Sequence, residues 1–225
     1  MTILNDIEAG PRAEVHDLTR ARLTTKSPVL EEAWRYWSSL RPDGGVPARS
    51  DLDPRAMSLI LGHAMILDRV RPGTVRVRVG GRVPNALMGM ETRGLPVRAF
   101  FDLLQRGRAV ALAERVFTEV ATLELDLMSD GPGTPLAARM IVLPLRDRAG
   151  AVTKALAVLV PERVEDEGPR RFAILREHLG AIRLADRRRA HAPGPAAPAF
   201  EAAEAQAPFE AEAPLSAAPW LRVVK

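Results

Sequence analysis

The chain has 225 residues, enough to bury a substantial core as one domain with appendages or as two small domains. No apolar run reaches the ~20 residues of a membrane-spanning helix, and the absence of cysteine excludes disulfides, thiol nucleophiles, cysteine-ligated metals and a cysteinyl adduct with a flavin. A formal charge of +4 is what remains when 32 basic side chains are interspersed with 28 acidic ones, so nucleic acid is not an expected partner.

Residues 1–26 are polar and lack a sustained period, which reads as a mobile N-terminal arm. Its scattered acids do not follow the charged-then-apolar order of a secretory signal, so a cytoplasmic location is expected. At Ser27 the pattern changes. Ser27 suits an N-cap, Pro28 the first helical position, and Leu30, Ala33, Trp34, Trp37 and Leu40 form one apolar stripe of a helix ending near Arg41. Trp34, Tyr36 and Trp37 put three of the chain's ten aromatic residues within four positions. RPDGGVPARS then stops the helix, and Asp53-Pro54 opens a second, short one. Arg49 and Asp51 are candidates for fixing this loop by hydrogen bonds.

Strands follow. HAMILDRV (63–70) is a short apolar run, and TVRVRVG (74–80) alternates Val with Arg after the turn Pro72-Gly73, which predicts a hairpin. GGRVPNALMGMETRGLP reads as short helical turns and loops. In VRAFFDLLQRGRAVALAERVFTEV, Phe100, Leu103, Leu104, Val110, Ala113, Val116 and Phe117 lie at helical spacings, with a break near Gly107 separating a short helix from a longer one. Three further strands, at 121–130, 136–147 and 154–162, are joined by the short loops DGPGT and RDRAGA. The expected fold is therefore α+β: a five-stranded antiparallel sheet with short helices over one face, leaving a cavity between sheet and helices.

Beyond Pro161, Phe172, Leu175, Leu179 and Ile182 form a stripe that predicts an amphipathic C-terminal helix over 169–190, with Arg187 to Arg189 at its solvated end. Residues 191–219 are rich in Ala, Pro and Glu, the composition of a disordered linker. The closing segment 220–225 carries Trp220 and Leu221, candidates for a short docking motif.

Two strands, short helices with a longer connecting helix, and a three-strand meander resemble the PAS fold. AWRYWSSLR followed by VPARSDLDP, then HAMILDRV, VRVRVGGR and GMETRGLPVRAFF, is similar to single-domain PAS proteins of the alphaproteobacterial type (PAS_5-like), over about residues 28–162. The resemblance implies a domain over 27–162 that serves as a sensory or regulatory module. It implies partners such as a histidine kinase, or a second copy bound through Leu30, Trp34 and Trp37 of the flanking helix. It names no ligand.

Specific chemistry finds little support. Of His16, His63, His178 and His191, only His63 falls within the domain, at a strand start that suits a structural role, so haem is disfavoured. Arg82 and Asn85 are candidates for lining the cavity, with turn-capping as the alternative. Glu124 and Asp126, two apart on a strand, are expected to be outward-facing charges. Neither G-x-S-x-G nor H-E-x-x-H nor a phosphate-binding G-x-x-x-x-G-K occurs, so no catalytic residue, metal or cofactor is expected. The reading is a regulator acting by protein contact. A metabolite-binding module, or an adaptor tethered through the C-terminal motif, stands beside it.

Overall fold

In the computed structural model, which describes residues 27–131, 134–164 and 169–182, Ser27 caps helix α1, Pro28–Ser39, by accepting a hydrogen bond from the Leu30 N–H at 3.4 Å. Pro28 occupies the first turn, where a missing N–H costs nothing. Turns of 3-10 helix at Pro42–Gly44 and Arg49–Asp51 follow, then the short α2, Ser58–Leu61. The hairpin is β1, Ala64–Arg71, and β2, Thr74–Gly80, turned by Pro72-Gly73 with Gly73 at φ +73°.

Helix α3, Arg82–Met88, ends at Gly89, whose φ of +64° is the left-handed C-terminal conformation that glycine adopts without strain. Two 3-10 turns, Val97–Phe100 and Leu103–Gln105, lead into α4, Arg106–Thr118. Helix α4 runs through Gly107 without the expected break, which falls just before the helix instead. Strands β3, Ala121–Ser129, β4, Leu136–Arg146, and β5, Val152–Pro161, form the predicted meander.

The sheet has six strands in the order β2-β1-β5-β4-β3-β6, and every named pairing is antiparallel. The sixth strand corrects the helix expected over 169–190. Residues Ala173–Ala181 form β6 along the free edge of β3. The misleading period comes from a bulge. Leu127 pairs with Ile174 and Asp126 with Arg176, so Leu175 is the extra residue, and it stands 61% exposed. That insertion breaks the two-residue alternation of the strand, and the expected stripe mixes different surroundings: Phe172 and Leu179 pack with the inner core, Leu175 is bulged out and Ile182 joins the outer core. Residues 183–190 of the expected helix, the arm 1–26, the linker 191–219 and Trp220 and Leu221 of the C-terminal motif lie outside the described residues.

Apolar side chains on both faces of the sheet are covered, because the central strands are apolar throughout. On the inner face, Met65, Leu67, Val77, Leu125, Met140 and Ala157 meet Leu87, Phe100, Val116 and Phe117 from the helical insertion. On the outer face, Ile66, Ile141, Leu143, Leu156 and Val158 meet Leu30, Ala33, Trp34 and Trp37 of α1 and Ile60 of α2. The open edge of β2 is partly closed by its own chain: Val77 N–H donates to the Leu95 carbonyl at 2.9 Å and Gly94 N–H to the Val77 carbonyl at 2.7 Å.

Candidate functional site

The aromatic cluster of α1 is turned onto its own sheet. Trp37 is fully buried and its indole Nε1–H donates to the Pro144 carbonyl at 2.9 Å. The pairing of β4 with β3 stops at Val142, two residues short of Pro144, whose missing N–H cannot extend a ladder. Trp34 packs beside Trp37 with ring centroids 5.6 Å apart, and the Arg41 guanidinium, from just past the helix end, lies 5.1 Å from the Trp37 centroid. Leu30, Trp34 and Trp37 retain 1%, 9% and 0% exposure. This corrects their reading as contacts for a second chain, since buried rings have no area left to offer a partner.

The loop after α1 is fixed mainly by other groups than those expected. Arg41 donates to the carbonyls of Gly44 and Gly45, the latter at 2.9 Å. Arg146 of β4 donates from Nε to the Val46 carbonyl at 2.7 Å and from its backbone N–H to the Pro47 carbonyl at 2.9 Å. The Tyr36 hydroxyl accepts from the Asp53 N–H at 2.7 Å. Asp51 accepts from the Ala48 N–H at 2.8 Å. Among the described residues Arg49 makes no side-chain hydrogen bond or ion pair.

Between the sheet and helices α3 and α4, the space is occupied by the chain's own side chains, with Phe100, Phe101, Leu87, Val116 and Phe172 all at or below 2% exposure. Arg82 is exposed and points no charge into this interior. Asn85 acts locally, its Oδ1 accepting from the Thr92 N–H at 3.0 Å and from the Thr92 hydroxyl at 2.7 Å. This clasp leaves no room at Gly80, where an added Cβ would stand 2.0 Å from the Thr92 hydroxyl. His63 hydrogen-bonds through Nδ1 to the Leu159 carbonyl at 3.1 Å, joining the start of β1 to β5.

The outer face has a polar half that α1 does not cover. Asp126 pairs with Arg139 at 2.8 Å and faces Arg176 at 3.9 Å, while Glu124 lies directly across from His178 of β6. Glu124, Asp126, Arg139, Arg176 and His178 are among the residues that line a shallow depression there. Acids and bases alternate across the strands and compensate one another. Elsewhere in the sheet, Asp68 of β1, 5% exposed, accepts from Arg78 of β2 at 2.5 Å and from Lys154 of β5. Burial alone would raise the Asp68 pKa, but the hydrogen bonds and charges of Lys154 and Arg78 outweigh it and hold the carboxyl below its ordinary value.

Sequence reasoning missed two features. Arg170 is buried to 1% exposure and donates to the Thr134 carbonyl at 3.1 Å, while its backbone N–H donates to the Leu87 carbonyl at 2.6 Å. Leu103 and Leu104, which lie at helical spacings with Phe100 and Val110 in the sequence, stand 75% and 94% exposed. The period of α4 carries a signal for this. Projected back from Ala109, Leu112, Ala113 and Val116, its buried stripe passes through positions 105 and 106, leaving both leucines off it.

An antiparallel sheet with a helical insertion over its inner face and a flanking helix over its outer face defines an α+β module with two cores. Residues 25–160 match the PAS_5 family, described as a PAS domain, and the chain belongs to this family. The matched stretch ends within β5, so β6 is an addition to it. Similar solved structures include a light-oxygen-voltage domain studied with a flavin analogue, 17% identical, with 48% of this chain and 83% of that chain covered at a TM-score of 0.39. Another is the light state of the blue-light photoreceptor Aureochrome1 LOV domain, 19% identical, with 48% and 88% covered at a TM-score of 0.36. No curated protein matches the chain. Among the described residues, no helix is long and apolar enough to cross a membrane.

Proposed function

We propose that this PAS protein is a cytoplasmic regulator that acts by binding a signalling protein, with a histidine kinase as the leading candidate, and that it performs no catalysis of its own. The observation that carries this reading is the division of its surfaces. Side chains fill the interior between sheet and helices, the aromatic helix is spent on the outer core, and the most exposed large apolar side chains of the described residues, Leu103 and Leu104, stand side by side in solvent. A protein that meets its partner through such a surface needs neither a reactive constellation nor a cofactor. Thiol-adduct flavin photochemistry is closed to a chain without cysteine.

The test is affinity purification of the tagged full chain from its own host, with absorption spectra and native mass spectra of the purified protein alongside. The expected result is a stoichiometric signalling protein in the eluate and a mass equal to that of the polypeptide. Elution of the chain alone, or a mass increment with a visible chromophore, would overturn the reading in favour of a ligand-driven module.

A further inference from the structure

The two most exposed large apolar residues of the described chain are neighbours, and they sit on a rigid corner. Leu103 and Leu104 open the 3-10 turn before α4, held from behind by buried aromatic residues. The Phe172 N–H donates to the Phe100 carbonyl at 2.9 Å, the Asp102 N–H to the Phe172 carbonyl at 3.1 Å, and the Gln105 N–H to the Asp102 carbonyl at 2.9 Å. Phe100, Phe101 and Phe172 beneath are each no more than 2% exposed. Nothing in this support gains from placing leucine rather than a polar residue at 103 and 104, because neither side chain reaches the core. Single exposed apolar residues are ordinary on a protein surface, but an ordered adjacent pair marks a surface awaiting cover.

The charges around the pair have one sign in excess. Arg98 is exposed in the preceding 3-10 turn, and the half-buried Arg106 donates from Nε to the Phe101 carbonyl at 3.4 Å. Arg171, just before β6, has its pKa lowered by burial and then by the neighbouring Arg106 charge, with Asp102 acting in the opposite direction. The Arg106 and Arg171 guanidinium groups are thus close enough to repel each other, with the Asp102 carboxylate beside them, and Arg98 adds an exposed positive charge in the preceding turn. An arriving carboxylate would relieve the mutual repulsion of Arg106 and Arg171 and form charge-assisted hydrogen bonds with them.

We propose that the Leu103–Leu104 corner, flanked by Arg98, Arg106 and Arg171, docks an acidic amphipathic segment of a partner protein. The partner's apolar side chains cover the two leucines and its Asp or Glu side chains pair with the arginines. This inference rests on the protein-contact reading and names the surface and the partner chemistry that serve it. Nucleic acid fits the corner less well, since the aromatic rings that could stack on bases are buried beneath it.

The test uses the full chain and a fluorescent amphipathic peptide with Leu on one face and Glu on the other, together with a twin in which every Glu is Gln. Wild type is expected to bind the Glu peptide, and the Gln twin about tenfold or more weakly. The double variant Leu103→Ser, Leu104→Ser should lose a similar factor while keeping the wild-type melting temperature, because it removes no buried contact. The exposed Arg98→Glu should weaken binding and flatten its salt dependence.

Absence of binding by wild type, equal binding of both peptides, or indifference to the Leu variant overturns the proposal. So does tighter, variant-sensitive binding to phosphatidylserine vesicles, or variant-sensitive self-association without a peptide effect, each of which assigns the corner to another occupant. In the affinity purification, a partner retained equally by wild type and the Leu variant sinks the docking site and leaves the protein-contact reading standing. Elution of wild type alone sinks that reading itself.

Discussion

Asp68 carries more of the sheet's electrostatics than its place in an apolar strand suggests. Its carboxylate joins three strands, accepting from Arg78 on β2 and Lys154 on β5. A carboxyl whose folded pKa lies below its unfolded value contributes stability that is fully present above the unfolded value, about 3.9, and is lost as pH falls through the folded one. Asp68→Asn should therefore cost about 1–3 kcal/mol at pH 7, with the difference from wild type shrinking as pH drops below about 4. Urea unfolding of both proteins between neutral and acid pH checks this; a difference that stays constant across the range would refute it. Gly81 is constrained differently. An added Cβ would stand 2.6 Å from the carbonyl oxygens of both Leu61 and Gly62, which are backbone and cannot step aside. Gly81→Ala should lower the melting temperature, whereas Gly107→Ala, with nothing near its Cβ and a helical backbone, should raise it slightly.

At the scale of elements, β6 is the strand that most changes the picture. It covers the edge of β3 and ties itself to the helical side through Arg108 of α4, which donates to the Ile174 carbonyl at 3.2 Å and pairs with Glu177. Phe172 anchors its start between the inner core and the 3-10 turn at Phe100. Phe172→Ala should cost about 3–5 kcal/mol by the cavity it leaves. It should also speed amide exchange over residues 173–181 more than over β1 and β5. Uniform acceleration across the sheet would show that β6 does not open as a unit. The edge itself is defended by the bulge at Leu175 and by the charged run Arg176, Glu177, His178, devices that discourage strand addition by another chain.

At the scale of the whole molecule, one sheet separates two cores. The inner core ties the helical insertion to the sheet, and the outer core does the same for α1 and α2. Trp37 is the largest fully buried side chain of the outer core, so Trp37→Ala should reduce folding stability by about 3–5 kcal/mol. The loss should be the same at low and high protein concentration, because the ring is buried within one chain. A loss that grows on dilution, read from melting curves at several concentrations, would place the ring at an interface between copies instead. With the tryptophans committed inward, the proposed surface for a partner is the corner at Leu103 and Leu104.

Local pattern determined much of this protein. The cap at Ser27, the stripe of α1, the Val/Arg alternation of β2 and the apolar meander strands are each specified by neighbours in sequence, so the α+β class and the PAS layout were legible without coordinates. The absence of cysteine likewise closed off thiol chemistry. Three matters needed the tertiary structure. Whether the α1 rings met their own sheet or another chain depended on the outer face being apolar along β4 and β5, a property of strands more than 100 positions away. The identity of β6 depended on the unpaired edge of β3 and on a bulge that disguises its period. The exposure of Leu103 and Leu104 depended on where α4 begins, since the period of its stripe excludes them only once the helix start and its buried face are known. In each case a local preference was weak or ambiguous, and packing between residues far apart in the chain decided the outcome.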